Sequence, residues 1–510
     1  MTAQDGKDAE PDQAPRPGNG LLAVLLLSTF IVVFDTAGMV IPLTAILGDL
    51  GGALDMATWA YGAFILTFAV FLLPAARLAG GHGHRRLLLP GMAIFTAASL
   101  TCALAPSIEV LVAARAVEGL GAAMAEPAAF ALMKTAFAGR AGERAATAHR
   151  AAFAVAALTA PVVSGLITWG LSWEFMFYLN VLTGAAVLVA GSRLIPASWE
   201  GGPPRSPNVP GALLGGLAVF ALAFTVIEGT RFGWDSPLII SFATAGIALL
   251  GLFVLNERRA DDPFVPRTLL KSRRFRLGNL ARGIGEFASL GLFFALSHVL
   301  QVQHGYSALA AGALLMSIIV GAVIVAPVSE SLTGRVDVRL LVIPGFLLIA
   351  AGTFWVTFAS PGSGWLFFLA PLAVAGAGFG LQEDPTATTA LKDVPATHTI
   401  TGRNISYVGY LLGITAGVAV VSGVWQNRFV TDARHTETGL TGSQVSGDPA
   451  AHITGPDAHH LRELAEATFS DAAGTALLSC AAMAVLGATV ALFLPSSRTG
   501  RSGPETGRQR

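Results

Sequence analysis

The stretch from Leu111 to Lys134, LVAARAVEGLGAAMAEPAAFALMK, carries ionisable side chains in an otherwise apolar segment. At about 100° per residue, a helix returns almost to its starting angle after eleven residues, so Arg115, Glu118 and Glu126 share one stripe. A charge at the centre of a bilayer costs on the order of 2.5–3.5 kcal/mol, and such residues usually face a partner or a water-filled cavity. Two interpretations follow: a packing stripe in which Arg115 and Glu118 form an i,i+3 salt bridge, or the charged lining of a polar path, which we favour.

The chemistry open to these residues is the uptake and release of a proton. Burial raises the pKa of a carboxyl group and a nearby guanidinium lowers it, so a site that opens and closes can load and release one proton per cycle. Asp35, in the first apolar run, and Glu126 are the candidates for carrying the proton. Arg115, about 16 Å from Glu126 along a helix, is the candidate for modulating their protonation.

The second half of the chain offers a further set of ionisable residues in apolar runs. Glu383 and Asp384 precede Pro385, and Arg282 and Glu286 have the i,i+4 spacing of a mutually neutralising pair. We assign Asp384 to proton coupling with Asp35, Arg115 and Glu126. Residues predicted to line a substrate cavity are Glu118, Glu383, Arg282 and Glu286.

Composition places the chain among membrane proteins and excludes several other classes. Of its 510 residues 53% are hydrophobic and 13% are charged, whereas soluble domains carry roughly 25% charge. The net charge is zero, so no nucleic-acid partner is expected. The two cysteines and the scattered histidines have no metal-ligand spacing, and there is no phosphate-binding loop. We therefore expect no cofactor, no metal and no enzymatic activity.

Apolar runs near 20 residues long recur along the chain, and a transmembrane helix needs about 20 such residues. With the N-terminus inside, the inner segments hold 22 of the 32 Lys and Arg residues and the outer loops hold four, as the positive-inside rule predicts. The chain is therefore predicted to be an all-α polytopic protein of the cell membrane, with both termini cytoplasmic. Its fourteen predicted spans are 21–46, 57–76, 87–105, 108–134, 150–170, 175–195, 210–229, 237–256, 277–302, 308–329, 338–358, 365–391, 404–427 and 471–494.

The chain also repeats itself. RLAGGHGHR (77–85) matches SLTGRVDVR (331–339) at three positions, and AEPAAFALMK (125–134) matches EDPTATTALK (383–392) at Pro and Lys. The two matches are separated by 254 and 258 residues along the chain. These nearly equal separations predict two six-helix halves with two helices inserted between them, an arrangement common in transporters. The predicted divisions are a disordered tail at 1–19, bundles at 20–195 and 277–494, a two-helix linker with a basic loop at 196–276, an outer loop at 428–470 and a tail at 495–510.

These motifs resemble the major facilitator superfamily, and in particular its fourteen-span drug:proton antiporter branch, over residues 20–494. The fourth span matches the family pattern of Arg, three residues and Gly-x-Gly-Ala-Ala at Arg115, Gly119 and Gly121. SWEFMFYLNV (172–181), EGTRFGWDSP (228–237) and LQVQHGYSALAAG (300–312) add to the match. The resemblance implies two six-helix bundles plus two inserted helices, and a role for Arg115 in proton coupling.

Some family positions differ here. The loop between spans 2 and 3 normally carries an Asp at the position of Gly80, before Arg85, so the resemblance implies that the family's charge-pair latch is missing or rebuilt. The second half has the same substitution, Gly334, before Arg339. The fifth-span pattern associated with exporters keeps only its Pro and one Gly, which are Pro161 and Gly165.

The residues and the resemblance together predict a proton-coupled exporter of a drug-like or antibiotic small molecule that works by alternating access. Because the fifth-span motif associated with exporters is matched only in part, a second hypothesis is a proton-driven importer of a small metabolite on the same fold. A non-transporting receptor or a membrane enzyme is the third. The expected partners are the substrate, protons and the lipid bilayer, and the expected assembly is a monomer.

Overall fold

The computed structural model describes residues 18–496, except 53, 138, 197–207, 261–262, 361 and 436–457. Most of the predicted tail at 1–19 and most of that at 495–510 thus lie outside the described residues. Within those residues there are helices and no strands. The helices are α1 Asn19–Gly38, α2 Leu43–Leu50, α3 Leu54–His82, α4 His84–Ala103, α5 Ile108–Ala136, α6 Gly139–Gly170, α7 Glu174–Leu194, α8 Val209–Phe232, α9 Pro237–Arg259, α10 Arg267–Lys271, α11 Arg273–His298, α12 Ala308–Leu332, α13 Arg339–Val356, α14 Trp365–Leu391, α15 Thr399–His435 and α16 Ala458–Ala491.

Fourteen of these helices have 18 residues or more in the described part of the chain, matching the predicted number of spans. Thirteen are long and apolar enough to be candidate membrane spans by length and composition. The other is α5, whose charged residues include Arg115, Glu118 and Glu126. Because charge is so costly in a bilayer, a helix of this kind must bury those side chains within the protein.

The long helices form two six-helix bundles, as predicted. In the first half, α1 and α3–α7 pack together, and in the second half α11–α16 do so. The inserted helices α8 and α9 pack on each other, and α8 also contacts α3 and α15. Across the two halves, the principal contacts are α6 with α12 and α3 with α15.

Glycines set how closely these helices approach. A Cβ at Gly119 would strike the carbonyl oxygen of Phe64 on α3, and one at Gly121 would lie 2.7 Å from the carbonyl oxygen of Gly91 on α4. The α6–α12 contact between the halves is equally close, because a Cβ at Gly165 would lie 2.6 Å from the Ala308 carbonyl oxygen. Pro161 lies one turn before Gly165 and is buried against Gly312 of α12.

The first predicted span is broken rather than continuous. Helix α1 ends at Gly38, and α2 begins at Leu43 after a turn. The turn leaves main-chain carbonyls free to bond the other half: Ser297 donates to the carbonyl of Val40 (3.2 Å) and Gln301 to that of Ile41 (3.1 Å). These contacts join the halves on the side of the membrane opposite the termini, which we call the far side.

The termini side has its own pair of equivalent contacts. Arg85, at the start of α4, donates to the carbonyl of Ser192 near the end of α7 (2.8 Å). Arg339, at the start of α13, donates to the carbonyl of Leu494 just after α16 (2.7 Å). The two halves therefore use their repeated arginines in the same way.

The repeated glycines at the latch position differ in conformation. Gly80 lies inside α3, whereas Gly334 lies in a turn with a φ of +84°, where side chains other than glycine are strained. Nearby, Arg77 donates to the carbonyl of Pro263 (3.0 Å), so α3 is tied to the linker before α10.

The predicted outer loop at 428–470 is too long. Helix α15 continues to His435 and α16 begins at Ala458. The segment HHLRELAEATF (459–469), which lies within that predicted loop, is part of α16. Helix α16 therefore begins before the start of the last predicted span at residue 471.

Candidate functional site

Two polar centres lie on helix α5. The first, which we call the acid–arginine cluster, consists of Asp35, Ser99, Arg115, Glu118 and Asn180 and is built from α1, α4, α5 and α7. Arg115 Nη1 lies 2.7 Å from Asp35 Oδ2 and 2.7 Å from Glu118 Oε2. Asn180 donates to Asp35 (2.8 Å), and the Ser99 hydroxyl donates to Glu118. All five residues belong to the first half.

The acid–arginine cluster is sealed from solvent. Arg115 and Glu118 are 0% exposed and Asp35 is 2% exposed. The Arg115 guanidinium also lies over the ring of Phe64, 4.3 Å from its centroid, and Nε donates to the carbonyl of Ala60. With both carboxylates ionised the charges do not balance, and one added proton would make the cluster neutral.

The i,i+3 salt bridge considered for Arg115 and Glu118 is present, but Asp35 shares the same guanidinium nitrogen. In this conformation Glu118 lies in the closed cluster and does not line an open cavity. Asp35 lies near the end of α1, because the predicted continuous span breaks three residues later. Together, α1 and α5 bring the two carboxylates to one cation.

The second centre, which we call the junction, consists of Thr29, Glu126, Phe130, His149 and Arg403. Glu126 accepts a hydrogen bond from Thr29 (3.0 Å) and lies 3.8 Å from His149 Nε2. Arg403 Nη2, from α15 of the other half, lies 3.5 Å from Glu126 Oε1. The Arg403 guanidinium lies over Phe130, 3.4 Å from the ring centroid. The junction therefore connects the two halves of the molecule.

The acids predicted in the second half occupy a different environment. Glu383 and Asp384 are both exposed, although they lie in α14 at least seven residues before its end at Leu391. Seven helical residues span about 10 Å, so these two acids lie well inside the span without protein covering them. Glu286, by contrast, is buried.

Arg282 and Glu286 were predicted to neutralise each other, but their side chains do not form a close ion pair. Among the described residues, the ion pairs within 4.0 Å do not include these two side chains. The Arg282 guanidinium instead lies over the ring of Tyr410, 5.2 Å from its centroid. The negative face of an aromatic ring attracts a cation at this distance.

Sequence reasoning did not find the partners that complete both centres. Ser99 and Asn180 are neutral residues in apolar spans, and only their polarity marked them. Arg403 lies just outside the predicted span at 404–427, whereas α15 begins at Thr399 and includes it. In the described residues no group of His, Cys, Asp and Glu could hold a metal ion.

The chain resembles known proteins over most of its length. A family model described as Major Facilitator Superfamily matches residues 25–423. Multidrug resistance protein Stp of Mycobacterium tuberculosis is 31% identical over 402 residues, which are 78% of this chain and 74% of that protein. Cephamycin export protein CmcT of Amycolatopsis lactamdurans is 31% identical over 443 residues, covering 84% and 86%.

Further matches extend the comparison in length and in structure. The tetracenomycin C resistance and export protein of Streptomyces glaucescens is 26% identical over 505 residues, 96% of this chain and 94% of that one. A solved structure of a bacterial homolog of the human lysosomal transporter Spinster, inward-facing and unoccupied, superposes with a TM-score of 0.65. It is 17% identical and covers 94% of this chain and 98% of its own, so it supports the fold alone.

Proposed function

The chain belongs to the major facilitator superfamily and is a transmembrane transporter, and from that premise we propose that it exports a drug-like or antibiotic small molecule in exchange for protons. Relatives whose names include multidrug resistance and antibiotic export support the substrate class and the direction. The membrane is proposed to be the cell membrane, with the termini side in the cytoplasm. The proposed moving parts are the bundles at 20–195 and 277–494.

The observation that carries proton coupling is the charge balance of the acid–arginine cluster. Two buried carboxylates, Asp35 and Glu118, share the guanidinium of Arg115. An unbalanced charge in a dry interior is costly, so the closed cluster favours holding one proton. We propose that this proton is shared by Asp35 and Glu118, and that Arg115 sets how tightly it is held.

Alternating access would expose this cluster to each side in turn. In the present conformation, the side chains of Ser297 and Gln301 bond to the main chain of the turn after α1 on the far side, while Glu383 and Asp384 are exposed within α14. We propose that Asp384 passes the proton to the cytoplasm and that Glu383 and Glu286 line the substrate cavity, with Arg282. Opening on the far side would rehydrate the cluster and let it take up a proton.

The experiment is a transport assay in inverted membrane vesicles, in which an imposed pH gradient drives accumulation of dyes and antibiotics. We expect wild-type accumulation to be lost with a protonophore and to fall at least about 100-fold in Asp35→Asn, since general acid–base groups contribute on this scale. Glu118→Gln should lose coupling as well. Glu109→Gln, an exposed position on the same helix, is the matched control and should transport normally.

The outcomes separate the alternatives. Accumulation that survives in both cluster variants would overturn the assignment of the proton to Asp35 and Glu118. Proton-driven accumulation in right-side-out vesicles, with none in inverted ones, would mean import. Absence of both proton and substrate movement across the whole panel would contradict proton-coupled transport of drug-like molecules.

A further inference from the structure

At the junction, a side chain from one half occupies a site built by the other. Glu126, Phe130, His149 and Thr29 all belong to the first half, and Arg403 enters from α15 of the second. Glu126 and Phe130 present a carboxylate and an aromatic face to the guanidinium, and Thr29 and His149 contact the carboxylate. The geometry is that of a cation-binding site with its cation already present.

The shape of the site favours a flat cation with delocalised charge. The guanidinium centre lies 3.4 Å from the centroid of Phe130, so the cation is in face contact with the ring. Glu126, 2% exposed, supplies the negative charge at 3.5 Å. A planar cation can stack and pair in this way at once, whereas a compact ammonium is a hydrated point charge.

Arg403 satisfies this site incompletely. Its Nη1 is buried without a hydrogen-bond partner among the described residues, and its distance from Glu126 is longer than a charge-assisted hydrogen bond, which is about 2.7–2.9 Å. One turn further along α15, Tyr407 contacts Phe68 of the first half, with ring centroids 5.6 Å apart. A second pair of aromatic rings therefore lies one turn from the guanidinium, where a ligand larger than it would reach.

We propose that Arg403 is a placeholder for a flat organic cation, which displaces it from Glu126 and Phe130 when substrate binds. The proposal rests on the proposed function, because it assigns a charge and shape to the small molecule carried. Displacement removes the ion pair that joins the halves at this point. Binding of the correct cation would thus release the halves to move, whereas a neutral or anionic molecule would leave the tie in place.

The test is equilibrium binding of ethidium, a planar cation, to the purified full chain in lipid nanodiscs, measured by fluorescence without a proton gradient. Arg403→Gln should bind ethidium about tenfold more tightly than wild type, because a partly solvated cation–π contact together with an ion pair is worth about this much. Arg403→Lys, which keeps the charge but not the flat shape, should fall between them. Arg231→Gln is the matched control: it removes a guanidinium that lies over Phe232 on α8, outside both polar centres and the proposed substrate cavity.

Three results would overturn the proposal. They are equal gains in Arg403→Gln and Arg231→Gln, a loss of affinity in both Arg403 variants, or no ethidium binding by any variant. In a Glu126→Gln background, the gain from Arg403→Gln should vanish, because the counter-charge is gone. Because the binding measurement uses no proton gradient, it can succeed even if proton-driven transport fails. Transport can likewise succeed if the binding prediction fails, so the two failures are distinguishable.

Discussion

The two polar centres of α5 differ in how they are assembled. The acid–arginine cluster draws all its residues from one half and is dry. The junction joins both halves, and its arginine side chain is 23% exposed. A centre inside one rigid half can change its protonation while keeping its geometry, whereas a centre between halves cannot survive their separation. The first is suited to storing a proton, and the second to sensing or permitting movement.

The largest expected difference between the centres is in stability. Arg115→Gln leaves two buried carboxylates without their cation and should destabilise the protein by about 3–5 kcal/mol. Arg403→Gln removes a partly solvated partner and should cost about 1 kcal/mol or less. Thermal unfolding of the purified protein in one detergent measures both. Equal losses would mean that the junction is as structural as the cluster.

The second expected effect concerns the packing that holds the cluster together. Gly121→Ala places a Cβ against the Gly91 carbonyl, so we expect a loss of about 1–3 kcal/mol from overpacking. Gly62→Ala is the control, because its Cβ would meet nothing within 4 Å. That substitution should stabilise helix α3 by about 0.5–1 kcal/mol. A similar response at both positions would contradict close packing of α5 on α4.

The third prediction concerns coupling energies. A double-mutant cycle of Asp35→Asn with Arg115→Gln should give a coupling of about 3 kcal/mol, at the upper end for contacting residues. The corresponding cycle of Glu126→Gln with Arg403→Gln should give about 0.5–1 kcal/mol. Stability in the same detergent is the readout. A larger coupling at the junction would reverse the distinction between the two centres.

The smallest expected effect is on the far-side closure, which is also a contact between halves. Gln301→Leu removes a hydrogen bond to Ile41, worth about 0.5–1.5 kcal/mol, and should raise the far-side-open population up to about tenfold. Spin-label distances between α2 and α11 measure that population. Gln303→Leu is the control, since Gln303 Nε2 has no hydrogen-bond partner among the described residues. An unchanged population in Gln301→Leu would show that closure depends on other contacts.

The sequence predicted the helical framework well because each span is long and apolar, and the internal repeat indicated two halves. The stripe on α5 also indicated the Arg115–Glu118 pair, since i,i+3 neighbours meet on any helix. It did not reveal Asn180, Ser99 or His149, because their proximity depends on how separate helices pack. Arg403 was missed for a related reason: its charge ended the apolar run, so a hydropathy pattern placed it outside the span.

The break after α1 has a consequence for how this protein can vary. On the far side, Ser297 and Gln301 bond to the main chain at residues 40 and 41, not to their side chains. Every amino acid supplies that same carbonyl, so this part of the closure is indifferent to which residues occupy the turn. Saturation mutagenesis should therefore find that positions 297 and 301 require a hydrogen-bond donor, whereas positions 40 and 41 tolerate many different side chains. The side chains of the turn can therefore change, for example to suit a different substrate or lipid, while these hydrogen bonds are kept.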